Sequence, residues 1–417
     1  MRLPRAYLPS LSRALWLFEC STLFQALGSG VITPFVIIYL HNVRGFSLAF
    51  SGAVGAAFAG AVFAGTFIGG DLADRFGART PLRVSLVVMA AGFAGFAFAH
   101  SLLLAFVTII VAGAANGTYW PPQAAILAEL SPPERRHIAY ALQRSLANAA
   151  FGLGATVGGL IAVTSRPETF SAIFLIVSAC ALVSLSITFF IRLPARRKRS
   201  VRSKVRWSEL LRQRAILAIV VFNVIYFLGG YAVLTMALPV VAKNQAGISD
   251  RLIGLIFLAN TLTILVLQMP IIKALEGHSR MRVLAAMASL WAALWLIILA
   301  ALGSLSVPVA TLVFILAGVV FAIGECALPL QSSLVADLSP PGLRARSLGL
   351  LTSAQALGLM FGQLILGFLL AHAADFVWIG AAGILVLSAA FALRLDRRLP
   401  DALRLAPCSD VASEPVG

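Results

Sequence analysis

The chain has 417 residues, of which 60% are hydrophobic and only 12% are charged. Water-soluble domains carry about 25% charged residues, so this balance excludes a soluble enzyme or binding domain. The net charge of +16 would suit a nucleic-acid partner, but basic residues also accumulate in the loops that membrane helices leave on one side. The composition therefore predicts a protein whose main partner is the lipid bilayer, with no nucleic acid.

Long apolar stretches recur along the whole chain, separated by charged or Pro/Gly-rich clusters. A hydrocarbon core of about 30 Å needs roughly 20 apolar residues per helix. Twelve stretches meet this length, and they cover approximately residues 13–40, 48–70, 84–100, 102–130, 138–165, 170–192, 215–242, 251–275, 283–303, 308–337, 345–372 and 375–394. The first is too long for a signal peptide and lacks its cleavage pattern. We predict an all-α integral membrane fold with twelve transmembrane helices.

The positions of the basic residues predict the orientation of these helices. With the amino terminus in the cytoplasm, all but four of the 32 Lys and Arg residues fall on or beside cytoplasmic segments, the exceptions being Arg44, Arg166, Lys243 and Arg251. Cytoplasmic loops of membrane proteins carry such an excess. We predict a multi-pass protein of the cell (inner) membrane with both termini cytoplasmic.

Cysteine and histidine give no sign of metal or redox chemistry. The four cysteines, Cys20, Cys180, Cys326 and Cys408, lack the spacing of a zinc site or a disulfide framework. The five histidines fall at predicted helix ends or in loops. Neither a nucleotide-binding loop nor a hydrolase elbow is present. We predict no cofactor, no metal and no enzyme activity, so that an ion gradient supplies the energy and carboxylates carry any proton within the membrane.

A basic segment and an internal repeat divide the chain in two. The string Leu-Ala-Glu-Leu-Ser-Pro-Pro at residues 127–133 reappears as Val-Ala-Asp-Leu-Ser-Pro-Pro at residues 335–341, and neighbouring Pro, Arg and Gly residues recur at the same offset. Such repetition predicts two parallel six-helix repeats. The predicted domains are residues 1–192, the first six-helix bundle; 193–214, a basic cytoplasmic linker; 215–394, the second six-helix bundle; and 395–417, a cytoplasmic tail.

The loop between spans two and three carries the most specific motif. Residues 69–79 read Gly-Gly-Asp-Leu-Ala-Asp-Arg-Phe-Gly-Ala-Arg, which resembles the signature loop of the major facilitator superfamily, with Ala78 in place of a basic residue. The resemblance implies a cytoplasmic gate, in which Asp74 meets the amino-terminal end of span eleven and Arg79 meets Glu129. The implied gate residues are Gly70, Asp74, Arg75, Gly77, Arg79 and Glu129.

Within that superfamily, the layout most resembles the bacterial multidrug-efflux branch of drug/proton antiporters. Residues 154–159 stand where those antiporters often carry Gly-Pro-x-x-Gly-Gly, but the proline is missing here. Small residues at this spacing also let helices pack closely in lipid. The resemblance to the superfamily covers the chain from about residue 12 to residue 394.

Two of the 16 acidic residues fall inside predicted spans, Glu19 in span one and Glu325 near the middle of span ten. A charge at mid-membrane costs about 2.5–3.5 kcal/mol on insertion scales, so such residues face a cavity or a partner. The resemblance places spans one, four, seven and ten around a central cavity. We predict that Glu325 carries a coupled proton and that Glu19 is a secondary site.

Polar and aromatic side chains on nearby spans predict the substrate cavity. Helical spacing groups those of spans four and seven on single faces, and Arg144 in span five either pairs with Glu19 or extends to the surface. Such groups around a carboxylate suit an amphipathic or cationic organic solute, with helix packing as the alternative role of each aromatic. The predicted cavity residues are Asn116, Tyr119, Trp120, Gln123, Asn223, Tyr226 and Arg144.

These features predict a monomeric secondary transporter that couples protons to efflux of a drug-like or amphipathic small molecule. Proton-linked uptake or facilitated exchange of a nutrient or metabolite is the alternative within transport. A membrane sensor or assembly factor that does not transport is the alternative of another class. Flux that depends on a pH gradient separates the carriers from the sensor, and the direction of flux separates efflux from uptake.

Overall fold

A computed structural model describes residues 12–131, 136–191, 213–302, 305–339 and 344–406. In this part of the chain the secondary structure is helical, apart from one isolated antiparallel bridge between Ser279 and Leu405. The all-α prediction is confirmed. The predicted linker, except for its last two residues, and the end of the tail lie outside the described residues.

Twelve long helices follow one another along the described chain. They are α1 (Arg13–Ile32), α2 (Leu48–Phe76), α3 (Arg79–Ala97), α4 (Leu102–Leu130), α5 (Arg136–Ile161), α6 (Pro167–Phe189), α7 (Arg214–Asn244), α8 (Asp250–Ala274), α9 (Arg280–Ala301), α10 (Val307–Leu338), α11 (Arg344–His372) and α12 (Ala374–Asp396). All except α5 are long and apolar enough to cross a bilayer. The less apolar α5 packs between α1 and α8, and a short helix, α13 (Asp401–Arg404), follows α12.

The helices form two groups of six that meet along two interfaces. In the first group α2 packs on α4, and α1 packs on α5 and α6; in the second α9 packs on α12, and α8 packs on α10. Between the groups, α2 packs on α11 and α5 packs on α8. In the two repeats α2 corresponds to α8, and α5 corresponds to α11. The two interfaces are therefore equivalent, as expected for a pair of related halves. The prediction of two six-helix repeats is confirmed.

Both ends of the described chain lie at one face of the bundle, the terminal face, and the opposite side is the distal face. Glycines close the distal side, because a Cβ on Gly52 would lie 2.6 Å from the Cα of Gly367, and one on Gly254 would lie 3.2 Å from the Cα of Gly159. Asn42 donates a hydrogen bond to Asn244 across the same side at 2.6 Å. The halves are therefore shut against each other at the distal face.

Two membrane helices are broken near their middles. The regular part of α7 ends at Gly229 and is followed by a π-helical turn at Val233–Ala237. The first part of α10 ends at Glu325 and the helix resumes at Pro329, because proline has no N–H for the Glu325 carbonyl and its ring collides with that group. Such interrupted helices free backbone groups and often mark binding sites in transporters.

Candidate functional site

The two helix breaks meet at Glu325. The Tyr231 hydroxyl, just after the Gly229–Gly230 break, donates a hydrogen bond to the Glu325 carboxylate. The Asn260 amide of α8 donates to the other carboxylate oxygen at 2.7 Å and to the Gly318 carbonyl at 3.2 Å. Both oxygens therefore have donors, which offsets the cost of taking a carboxylate out of water.

Aromatic rings pack around Tyr231, one of the two donors to this carboxylate. Trp291 stacks on Phe321 with ring centroids 3.9 Å apart, and Tyr231 stacks on Phe227 at 4.4 Å. A Cβ would lie 2.5 Å from the Trp291 ring if added to Gly230, and 2.3 Å if added to Gly324. Glycine is therefore required beside each helix break. The rings hold Tyr231 in place beside the carboxylate.

A cavity of about 550 Å³ lies beside this site, between the two halves and toward the terminal face. Tyr231 and Phe227 form one wall, and Arg144 of α5 forms the opposite wall. Arg144 is exposed and lies within electrostatic range of the Glu325 carboxylate. The sequence left two alternatives for Arg144, an ion pair with Glu19 or a side chain extended to the surface. The structure shows no contact between Arg144 and Glu19. Arg144 lies instead at the cavity near Glu325.

Glu19 belongs to a separate cluster inside the first half. Its side chain is 1% exposed, and both carboxylate oxygens lack a hydrogen-bond partner among the described residues. Tyr119 lies beside Glu19 and the Thr22 hydroxyl, and the Gln123 amide is 3.5 Å from the same hydroxyl. The structure thus brings together three predicted site residues, from α1 and α4, in a packed interior.

The remaining predicted cavity residues separate into two environments. Asn116 lines a second cavity of about 280 Å³ between the halves, and Trp120 donates a hydrogen bond to Asn116 at 3.3 Å. Asn223 and Tyr226 are fully buried. Asn223 donates to the Ile219 carbonyl at 3.1 Å, and Tyr226 packs on Trp291 at 4.6 Å. Helical spacing predicted that Asn223 and Tyr226 line the cavity, but helix packing buries their side chains in the interior of the second half.

Two residues of the site were not found from the sequence, Tyr231 and Asn260. Tyr231 follows a Gly-Gly pair in an apolar span, which is a signal of a helix break. Asn260 is an amide inside an apolar stretch, but it lies on span eight, outside the four spans that the family resemblance directs to the cavity. Both could have been found by treating every polar side chain within a span as a candidate.

The signature loop has the shape that its glycine requires. Gly77 ends α2 with a φ of 80°, a backbone conformation that residues other than glycine rarely adopt. Arg75 pairs with Asp71 at 2.8 Å, and both are exposed. Within the described residues, Arg79 and Glu129 form no ion pair, and the side chain of Asp74 lies outside the description. The gate itself, including Gly70, stays a prediction.

Twelve helices in two related halves, with a polar site at two helix breaks of the second half and a cavity between the halves, define a secondary transporter. Residues 19–249 and 222–407 match the family model of the Major Facilitator Superfamily. The chain belongs to this superfamily, and it is therefore a multi-pass membrane carrier and not an enzyme.

Individual relatives are distant. The chain is 26% identical to the uncharacterized MFS-type transporter YqjV of Bacillus subtilis, over 84% of this chain and 85% of the relative. It is 26% identical to the multidrug resistance protein MdtH of Aeromonas hydrophila, over 83% of this chain and 85% of that protein. The solved structure of a D-xylose-proton symporter has the same fold, with a TM-score of 0.74 at 18% identity, covering 94% of this chain and 98% of that one.

Proposed function

We propose that the chain couples proton movement to the efflux of a drug-like or amphipathic small molecule. The observation that carries this proposal is Glu325, a carboxylate held at two helix breaks by Tyr231 and Asn260. A carboxylate within a membrane helix marks an ion or proton pathway by default. Tyr231 also lines the terminal-side cavity, so it connects the proton site to the space that a solute would enter.

Broken helices make this site sensitive to the conformation of the carrier. Glu325 belongs to the second half, and the wall that carries Arg144 belongs to the first. Opening and closing of the cavity changes the hydration of the carboxylate, and hydration favours proton release. A cationic or amphipathic solute in the cavity would compete with the proton for the same negative charge. Competition of this kind gives exchange of solute for proton.

Efflux as the direction is supported by the name of the distant relative, a multidrug resistance protein. The lining also fits an amphipathic solute, because the cavity combines Phe227, Leu348 and Leu351 with Ser332 and Thr352. Apolar walls with a few polar groups are typical of sites for drug-sized molecules.

Reconstituted flux tests the proposal. Purified protein in proteoliposomes receives a cationic dye such as ethidium, and a pH gradient is imposed across the membrane. We expect dye movement opposite to the proton gradient, abolished when nigericin collapses that gradient. Dye flux that is unchanged by nigericin would refute proton coupling and leave facilitated exchange.

Arg144 favours a second candidate, proton-linked uptake. Its exposed guanidinium lies on the first half, opposite the Glu325 site on the second. Protonation of Glu325 would leave Arg144 available to an anionic solute, so that proton and solute bind together and move in the same direction. Movement of a labelled organic anion with the proton gradient, in the same proteoliposomes, would support uptake over efflux.

A further inference from the structure

A third cavity lies on the terminal face, in the second half and away from the substrate path. It has a volume of about 650 Å³ and lies between the loop before α9, the first turns of α9 and the tail. The tail is fixed there by backbone pairing: Gly277 donates to the Ala406 carbonyl at 3.1 Å, and Ala406 donates to the His278 carbonyl at 2.9 Å. The tail is therefore one wall of a built cavity.

The charge on the surface of this cavity is positive. Arg282 and Arg404 both donate hydrogen bonds to the same oxygen of Asp396, at 3.0 and 2.7 Å. The Asp396 side chain is 1% exposed, whereas that of Arg282 is 61% exposed. His278 is also exposed. Because the carboxylate is buried behind the guanidinium groups, an approaching ligand meets cationic donors.

The rest of the lining is apolar. Val283 and Ala286, on the first turns of α9, and Leu405 of the tail complete the lining. Leu405 is 51% exposed. The first turns of a membrane helix lie at the level where the hydrocarbon core gives way to lipid headgroups. A lining that combines cationic and apolar groups at this depth is complementary to an anionic amphiphile.

We propose that this cavity binds an anionic phospholipid of the surrounding leaflet. Its phosphate would lie against Arg282, Arg404 and His278, and its glycerol and first acyl carbons would lie along Val283 and Ala286. Guanidinium groups bind phosphate through paired N–H donors, and basic pockets at the cytoplasmic ends of membrane helices favour anionic headgroups. The bound lipid would join the tail to α9.

Native mass spectrometry and lipid nanodiscs test this proposal. The purified 417-residue chain is titrated with phosphatidylglycerol and with phosphatidylcholine of identical acyl chains. We expect the first phosphatidylglycerol to bind about fivefold more tightly than phosphatidylcholine, a ratio that one or two interfacial cations provide. Arg282→Gln should lower the ratio, although loss of the Asp396 contact can undock the tail.

A substitution that leaves the Asp396 cluster intact keeps the experiment decisive. His278→Glu adds a negative charge to the cavity wall without removing a partner of Asp396, and should abolish the preference for phosphatidylglycerol. Thr80→Glu is the matched control, since it adds the same charge to an exposed position at the terminal face of the other half, and should leave the preference unchanged. Three outcomes would each overturn the proposal. The first is equal binding of the two lipids, and the second is an unaltered ratio in His278→Glu. The third is displacement of the lipid by 10 mM inorganic phosphate, which would identify a free-phosphate site.

Discussion

The two carboxylates inside the bundle differ in their immediate partners. Glu325 accepts hydrogen bonds from Tyr231 and Asn260 beside a cavity, whereas Glu19 has no hydrogen-bond partner among the described residues. A buried carboxylate without donors is costly in its charged form. We propose that Glu325 exchanges its proton when the cavity opens.

Glu325→Gln should uncouple transport from the pH gradient. The amide keeps the shape of the side chain but stays neutral at every pH, so it cannot take up or release a proton. We expect gradient-driven flux to fall at least about tenfold, while exchange of solute for solute persists. Flux in proteoliposomes measures both quantities.

The exposed Glu168, on the first turn of α6, provides the control, and Glu168→Gln should match the parent protein. If Glu325→Gln transports against a gradient with the parent's pH dependence, Glu325 is structural and the coupling site lies at Glu19 or elsewhere.

At the scale of the helices, the close contact of α2 with α11 keeps the distal side shut. A Cβ on Gly52 would lie 2.5 Å from the Gln363 carbonyl oxygen. Gly52→Ala should therefore separate the two helices and shift the carrier toward a state open at the distal face. Spin labels at Ser165 and Asp375, both exposed at that face, should report a longer average distance.

Gly383→Ala separates this steric effect from the higher helix propensity of alanine, about 1 kcal/mol. No heavy atom lies within 4 Å of a Cβ built at Gly383, so the label distance should stay that of the parent protein. An identical distance distribution in Gly52→Ala would show that the glycine contact does not limit opening.

The end of α12 is tied to α9 and the tail through one aspartate. Asp396 accepts hydrogen bonds from Ser279, Arg282 and Arg404. Asp396→Asn removes the charge from these bonds and should lower the stability of the tail contact by about 1.5–3 kcal/mol. Faster trypsin cleavage after Arg404, followed by mass spectrometry, is the expected result.

Asp375→Asn is the matched change at an exposed position on the same helix, and it should leave the cleavage rate as in the parent. Equal cleavage rates for Asp396→Asn and the parent would mean that backbone pairing alone holds the tail.

For the whole molecule, we propose that the terminal face is cytoplasmic, because the sequence assigns all but four of the 32 Lys and Arg residues to the side of the two termini. Single cysteines at Ser203 and Ser409, in a background without the four native cysteines, should resist an impermeant maleimide in intact cells. A cysteine at the exposed, distal Asn244 should react. Labelling of Ser203 or Ser409 from outside would reverse the orientation.

The twelve helices could be predicted because their signal is local. Each needs a long apolar run, and the apolar run is visible in the sequence whatever it packs against. The repeat and the signature loop could also be recognised from the sequence, since both are short strings of adjacent residues. α5 shows the limit of hydropathy, because its 26 residues are less apolar than the rest and pack between two other helices.

The composition, the helix count, the repeat and the presence of two intramembrane carboxylates were determined by the sequence alone. Which carboxylate has donors was decided by the tertiary structure, since Tyr231 and Asn260 lie on two different helices and reach Glu325 only after α7 and α10 break. The same packing placed Arg144 opposite Glu325 and buried Asn223 and Tyr226. Helical spacing shows which residues share a face, but the neighbouring helices determine what that face meets.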